Sequence, residues 1–166
     1  MTTRIVLVPG TLALLPEHAS LIDPVPELRA ACLAAVAWLG VPDEVLADDQ
    51  GRRVADALLA AAGVTERAPD ADRTVLVVGN GSATRSEKAP GHLDERALAF
   101  DVALGAALLR GDLGGLDLSL ADELWARLGG IPALAGLLEP GAEVSVDHDA
   151  APYGVQWWVM RWTCGS

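Results

Sequence analysis

Aromatic side chains are scarce in this sequence: seven in 166 residues, five of them Trp, with one Tyr and one Phe. Its core must therefore be filled mainly by Ala, Leu and Val. Basic charge is scarce as well. Twelve Lys and Arg stand against 23 Asp and Glu, a formal net charge of −11, and Lys88 is the only lysine. A protein that neutralises phosphates needs a basic stripe or patch. Without one, neither nucleic acid nor a membrane surface is expected as a partner, and the acidity serves solubility. The two cysteines, Cys32 and Cys164, lie far apart and in no CxxC pair, so reduced thiols in a cytoplasmic protein are expected. No stretch approaches the roughly 18 apolar residues that cross a bilayer, and the apolar run ahead of Pro9 is too short for a signal-peptide core. P-loop, HExxH and GxSxG patterns are missing too.

What is present suits one compact domain. Arg4–Pro9 reads as a continuous apolar strand, as in a sheet covered on both faces. An irregular segment over 10–24 follows. Glu27–Leu39 carries Leu28, Cys32, Ala35, Val36 and Leu39 at helical spacing, and Gly40 with Pro42 stops it. Gln50–Ala62 predicts a second helix, with Val54, Leu58 and Ala61 inward and Arg52, Arg53 and Asp56 outward. After a polar linker over 65–73, Thr74–Val78 reads as a buried parallel strand. Asp94 is the expected N-cap of a helix running to Arg110, with Glu95 near its positive end. Ser119–Leu128 and Pro132–Leu138 predict short helices, and Glu143–Asp147 and Val155–Trp162 predict strands. The expected fold is a three-layer α/β single domain over 1–166, with a central mostly parallel or mixed sheet flanked by helices.

Ligands of such folds bind beyond the carboxyl ends of the strands. Segments 10–17, 79–96 and 148–154 fall there, and Asn80–Arg96, "NGSATRSEKAPGHLDER", is the most polar of them. Its start, "GNGS", can cradle an anion through converging N–H groups. No Lys-Ser/Thr follows, so a tight turn is the preferred reading. Arg85, Glu87 and Lys88 read either as a solvated loop or as anion-positioning groups, and His92 as a base, a ligand or a helix-entry residue. His148 beside Asp149 suggests acid–base or metal chemistry, although neighbours on an extended chain point to opposite faces. His18 stands next to Glu17 in the first loop. Trp158, Met160 and Trp162 share one strand face and Trp157, Val159 and Arg161 the other, which suggests packing against helices.

Two stretches carry a resemblance. "VLVVGNGSATRSEKAPGHLDERALAFDVALGAAL" and, far downstream, "DAAPYGVQWWVMRW" resemble the small, alanine-rich actinobacterial branch of the class III extradiol ring-cleavage dioxygenases. These proteins are similar to the catalytic subunit of protocatechuate 4,5-dioxygenase. The resemblance implies that fold and, in active members, an iron site with an acid–base His. The chain departs from it at the start. Where those enzymes carry a ligand His, usually within "PHPP", this chain has Gly10, followed by Thr11 and Leu12, and His18 lies eight positions on. The chain is also short between Trp38 and Gln50, the region of a second ligand. The loop of the acid–base His offers Asn80, Ser82 and Arg85 instead.

A 2-His-1-carboxylate face needs three converging ligands, so no metal ligand, no iron and no other cofactor are expected. The expected ligand-binding residues are Asn80, Ser82, Arg85, Lys88, His92, Asp149 and Tyr153, with His92, Glu87 and Tyr153 as catalytic candidates. The function expected is capture of a small molecule or protein partner by loops 80–96 and 149–154. The alternatives are a metal-independent enzyme acting on a small aromatic or carboxylated substrate and, third, iron-dependent ring cleavage. An exposed sheet edge or apolar patch left by the shortened centre makes a homodimer the expected assembly.

Overall fold

The computed structural model describes residues 1–18 and 21–165; the His18 side chain lies outside the description. In chain order these residues form β1 (Thr3–Val8), α1 (Pro26–Leu39), β2 (Glu44–Leu46), α2 (Asp49–Ala61), β3 (Arg73–Val78), α3 (Ala97–Arg110), α4 (Leu118–Glu123), β4 (Glu143–Ala150) and β5 (Trp157–Cys164). Short 3₁₀ turns stand at Leu12–Leu14, Pro16–His18 and Ile131–Gly136. The sheet order is β2-β3-β1-β5-β4. β2, β3 and β1 run parallel, β5 is antiparallel to β1, and β4 is antiparallel to β5. The domain is therefore a three-layer α/β fold around a mixed sheet.

Burial follows from the strand sequences. Ile5 to Val8 and Val75 to Val78 are at most 1 % exposed, because helices cover both sheet faces. Ile5, Leu7, Val75 and Val77 pack toward α3 and α4, with Trp158, Met160 and Trp162. Val6, Val8, Leu76 and Val78 pack toward α1 and α2, with Trp157 and Val159. The Trp alternation is thus a packing pattern, as the period of two implies, and the Trp162 indole N–H donates to the Leu108 carbonyl at 3.3 Å. Cys32 and Cys164 are free and buried in the cores on opposite faces of the sheet. Among the described residues no helix is long and apolar enough to cross a membrane.

Several boundaries differ from the sequence reading. The shortened centre still supplies a strand, β2, too short to show a pattern of its own. Its register on β3 (Glu44↔Val75 to Leu46↔Val77) is entered through Asp43, whose carboxylate accepts from the Thr74 N–H at 2.9 Å. Helix α3 starts at Ala97, not at Asp94. Asp94 instead closes an Asx turn, accepting from the Arg96 N–H at 2.9 Å. The Arg96 guanidinium beside it holds the Asp94 carboxyl down at about 2. Helix α4 ends at Glu123, and Trp125 at φ 58° takes the chain out of helical geometry. The expected helix at 132–138 is a 3₁₀ turn, and β4 continues through His148 to Ala150.

Helix α2 has a side-chain cap. The Asp48 carboxylate accepts from the Gly51 N–H at 2.7 Å. Asp48→Ala is expected to cost about 1 kcal/mol, read as a lower urea midpoint with an unchanged slope.

Candidate functional site

Because β5 runs against β1, its first residues lie beside the carboxyl end of β1, and β4 ends at the same rim. Backbone hydrogen bonds tie the loops together there. Gly81 N–H donates to the Gln156 carbonyl and Gln156 N–H to that of Ser82, both at 2.9 Å, and Arg85 N–H donates to the Gly154 carbonyl at 3.0 Å. The loop after β3 and the loop before β5, distant in sequence, thus form one wall.

A buried polar cluster stands on this wall. Asp101, on the inner side of α3, is 3 % exposed. Its carboxylate accepts from the Ser82 N–H at 2.9 Å, the Ser82 hydroxyl at 2.6 Å and the Arg85 guanidinium at 3.3 Å. Burial pushes the Asp101 carboxyl above the usual carboxylate range, against the pull of Ser82 and Arg85. The same Arg85 nitrogen, Nη1, donates to Gln156 Oε1 at 2.8 Å, and Gln156 Nε2 donates to Asp149 Oδ1 at 2.7 Å. The chain Ser82–Asp101–Arg85–Gln156–Asp149 therefore links the loop, α3, β4 and the entry to β5.

The cluster forms the polar end of a cavity of about 350 Å³ between α3 and the β4–β5 hairpin. Its walls are apolar: Leu98, Val102 and Leu109 from α3, and Val146 and Trp158 from the strands. Gly105 faces the Trp158 indole, whose Nε1 lies 3.5 Å from where a Cβ would stand, an ordinary van der Waals distance. Arg85 and Asp149 both line the cavity, and the Arg85 Nη2 and Nε donors and the Asp149 Oδ2 acceptor have no hydrogen-bond partner among the described residues. An apolar slot ending in a few convergent polar groups is the usual form of a small-molecule site.

The other expected site residues lie elsewhere. Asn80 is buried, and its Oδ1 accepts from the Gly10 N–H at 3.2 Å. Gln50 Nε2 donates to the Gly10 carbonyl at 2.7 Å, and Arg127 Nη1 donates to Gln50 Oε1 at 2.8 Å. Segment 127–130 crosses the ends of the parallel strands, with Asn80 N–H bonded to the Arg127 carbonyl and Gly130 N–H to that of Val78. The crevice at these strand ends is thus occupied by the chain itself. Glu87, Lys88 and Tyr153 line a separate recess with Ser86 and Pro152, and the Tyr153 hydroxyl donates to the Pro24 carbonyl at 2.7 Å. His92 is exposed at φ 59°, with Nδ1 3.2 Å from the Glu87 carbonyl oxygen. His148 pairs with Val159 and Asp149 with Trp158, so a β-bulge notwithstanding, the two side chains face opposite sides of the sheet.

Gly10, at these strand ends, has both backbone polar groups engaged by amide side chains. Among the described residues, no three His, Cys, Asp or Glu side chains converge.

Sequence reasoning reached Ser82, Arg85 and Asp149 but missed Asp101 and Gln156. A signal existed for each. Asp101 is the single acid inside the otherwise apolar Ala97–Leu109, and Gln156 the single polar residue between Val155 and Met160. No family model, curated protein or solved structure matches this chain. The site's own geometry therefore carries the functional argument.

Proposed function

We propose that the protein binds a small molecule between α3 and the β4–β5 hairpin, with Arg85, Gln156 and Asp149 receiving its polar head. The observation that carries this reading is the polar end of an otherwise apolar cavity, where Arg85 and Asp149, joined through Gln156, each keep polar atoms without a hydrogen-bond partner among the described residues. The ligand it suits has a flat apolar or aromatic body and a head that both donates and accepts. The reading agrees with descent from an extradiol-dioxygenase-like fold in which the loop was kept and the iron ligands replaced. It takes no step through a metal.

Calorimetric titration with naphthamide, and with naphthoate as its charged counterpart, tests it. Arg85→Ala is expected to weaken binding of the better probe about tenfold or more, the scale of one lost charge-assisted hydrogen bond. Equal binding by the variant and the parent protein would refute the assignment. One observation favours a second reading, a metal-independent enzyme in the same pocket: Asp101 is a carboxyl with a raised pKa beside a hydroxyl and a guanidinium. That reading requires turnover of a small aromatic or carboxylated substrate that survives chelators and stops in Asp101→Asn.

A further inference from the structure

Strand β5 carries three indoles, and their N–H groups have different fates. The Trp162 N–H donates to the Leu108 carbonyl at 3.3 Å. The Trp157 N–H is sealed from solvent and has no partner. Trp158 is buried too, at 2 % exposure, and its N–H likewise has no acceptor among the described residues. Unlike that of Trp157, it is not sealed. What Trp158 opens onto is the cavity between α3 and the β4–β5 hairpin, which it lines together with Gly105. An indole nitrogen is a donor only, and a donor shut away without an acceptor is costly.

Gly105 leaves this donor uncovered. A Cβ there would stand 3.5 Å from Trp158 Nε1, 3.6 Å from Cζ2 and 3.7 Å from Cε2. Cε2 lies between the other two in the ring yet is the farthest, so Gly105 meets the indole at its N–H edge rather than over its face. A methyl group fits at these distances, and it would cover that edge. Helix α3 and β5 run side by side past this point. Asp101 reaches Gln156 through Arg85, Gly105 stands against Trp158, and Leu108 accepts from Trp162. The Trp158 donor is therefore displaced from the polar end of the cavity by four residues of helix, about 6 Å. Measured along the strand, from Gln156 to Trp158, the step is about 7 Å. The two agree, and the span is that from an amide carbon to the far ring of a fused bicycle.

We infer that the Trp158 N–H is the specificity-determining donor of this pocket, and that the ligand is a heteroaromatic amide or acid with an acceptor atom in the ring remote from its polar head. The inference rests on the small-molecule reading above. Arg85, Gln156 and Asp149 hold the head, the apolar walls hold the rings, and Trp158 distinguishes a ring nitrogen or oxygen from a C–H at the same place. A C–H there leaves the donor covered and unpaired, which is how a hydrogen-bonding site rejects an isosteric analogue.

Calorimetric titration with a matched pair of probes tests it: naphthamide, and a quinoline carboxamide whose nitrogen lies in the ring remote from the amide. The parent protein is expected to bind the quinoline about threefold to tenfold tighter, the scale of one neutral hydrogen bond. Gly105→Ala is the sharper variant, because alanine suits a helix interior better than glycine and its Cβ meets Trp158 only at ordinary distances. Its thermal midpoint is expected to match or exceed that of the parent protein, while the preference for the quinoline disappears. A methyl that merely narrows the slot would weaken both probes alike, and a preference kept in this way overturns the role of the N–H. Trp158→Phe keeps an aromatic ring and removes the donor, and it is expected to lose the preference by an independent route. A parent protein that binds both probes equally, or naphthamide better, with both weakened in Arg85→Ala, overturns the Trp158 assignment and leaves the pocket standing. Binding of neither probe overturns the pocket, and the Trp158 assignment with it.

Discussion

Gly79→Ala is expected to destabilise the fold by about 3 kcal/mol or more, a fall of roughly 10 °C in the thermal midpoint for a chain of this size. A Cβ at Gly79 would stand 2.0 Å from the Leu128 carbonyl oxygen, 2.8 Å from its carbon and 2.9 Å from Ile131 Cγ1. The first two are backbone atoms, which cannot rotate away. Nor can the segments slide apart cheaply. Gly79 N–H bonds the Val8 carbonyl and Gly130 N–H the Val78 carbonyl at 3.0 Å each, while Asn80 N–H bonds that of Arg127 at 2.9 Å. Relieving the contact would break hydrogen bonds that are buried at the strand ends. Gly136 is the control, because it has ordinary φ and nothing within 4 Å of an added Cβ; Gly136→Ala is expected to leave the midpoint nearly unchanged. A circular dichroism melt of Gly79→Ala that matches the parent protein would contradict the close packing of 127–130 on β3.

That packing also explains what the sequence could and could not reveal. β1 and β3 were legible because strands buried on both faces read as unbroken Val, Leu and Ile. Helix α2 was legible because Arg52, Arg53 and Asp56 oppose Val54 and Leu58. β2 was not, since three residues at an edge hold no period and take their register from β3. Asp94 read as a cap, yet its side chain serves an Asx turn that begins three residues before α3. The loop Asn80–Arg96 was correctly placed at the rim, because topology alone determines which strand ends meet there. Its internal division was not legible. Consecutive loop residues turn to different neighbours, so Ser82 and Arg85 meet Asp101, Asn80 meets Gly10, and Glu87 and Lys88 meet Tyr153. Asp101 and Gln156 escaped because an isolated polar residue in a helix or strand reads as surface, and only the packed structure turns these two inward.

Asp101 is also where stability and binding are coupled most strongly. Asp101→Ala leaves the Ser82 N–H and hydroxyl buried without an acceptor, an expected loss of about 3 kcal/mol. Asp101→Asn keeps an acceptor for the N–H and a donor for the hydroxyl, and removes the charge together with the hydrogen bond from Arg85. In the folded protein burial raises the Asp101 carboxyl above its ordinary value of 3.8. The stabilisation linked to its proton is therefore fully present below that value and is lost as pH rises through the folded pKa. Relative to Asp101→Asn, the parent protein is expected to lose stability between these two values, by about 1.4 kcal/mol per pH unit at most. The charged groups around it are Arg85, in direct contact, and Asp149, reached through Gln156. Urea unfolding of both proteins from about pH 4 to about pH 8 measures the difference, and a difference independent of pH would sink the assignment. The same substitution leaves Arg85 without its carboxylate partner. The head of the cavity becomes more positive, and Asp101→Asn is expected to shift binding from naphthamide toward naphthoate. A preference that does not move would mean that Arg85 does not face the ligand.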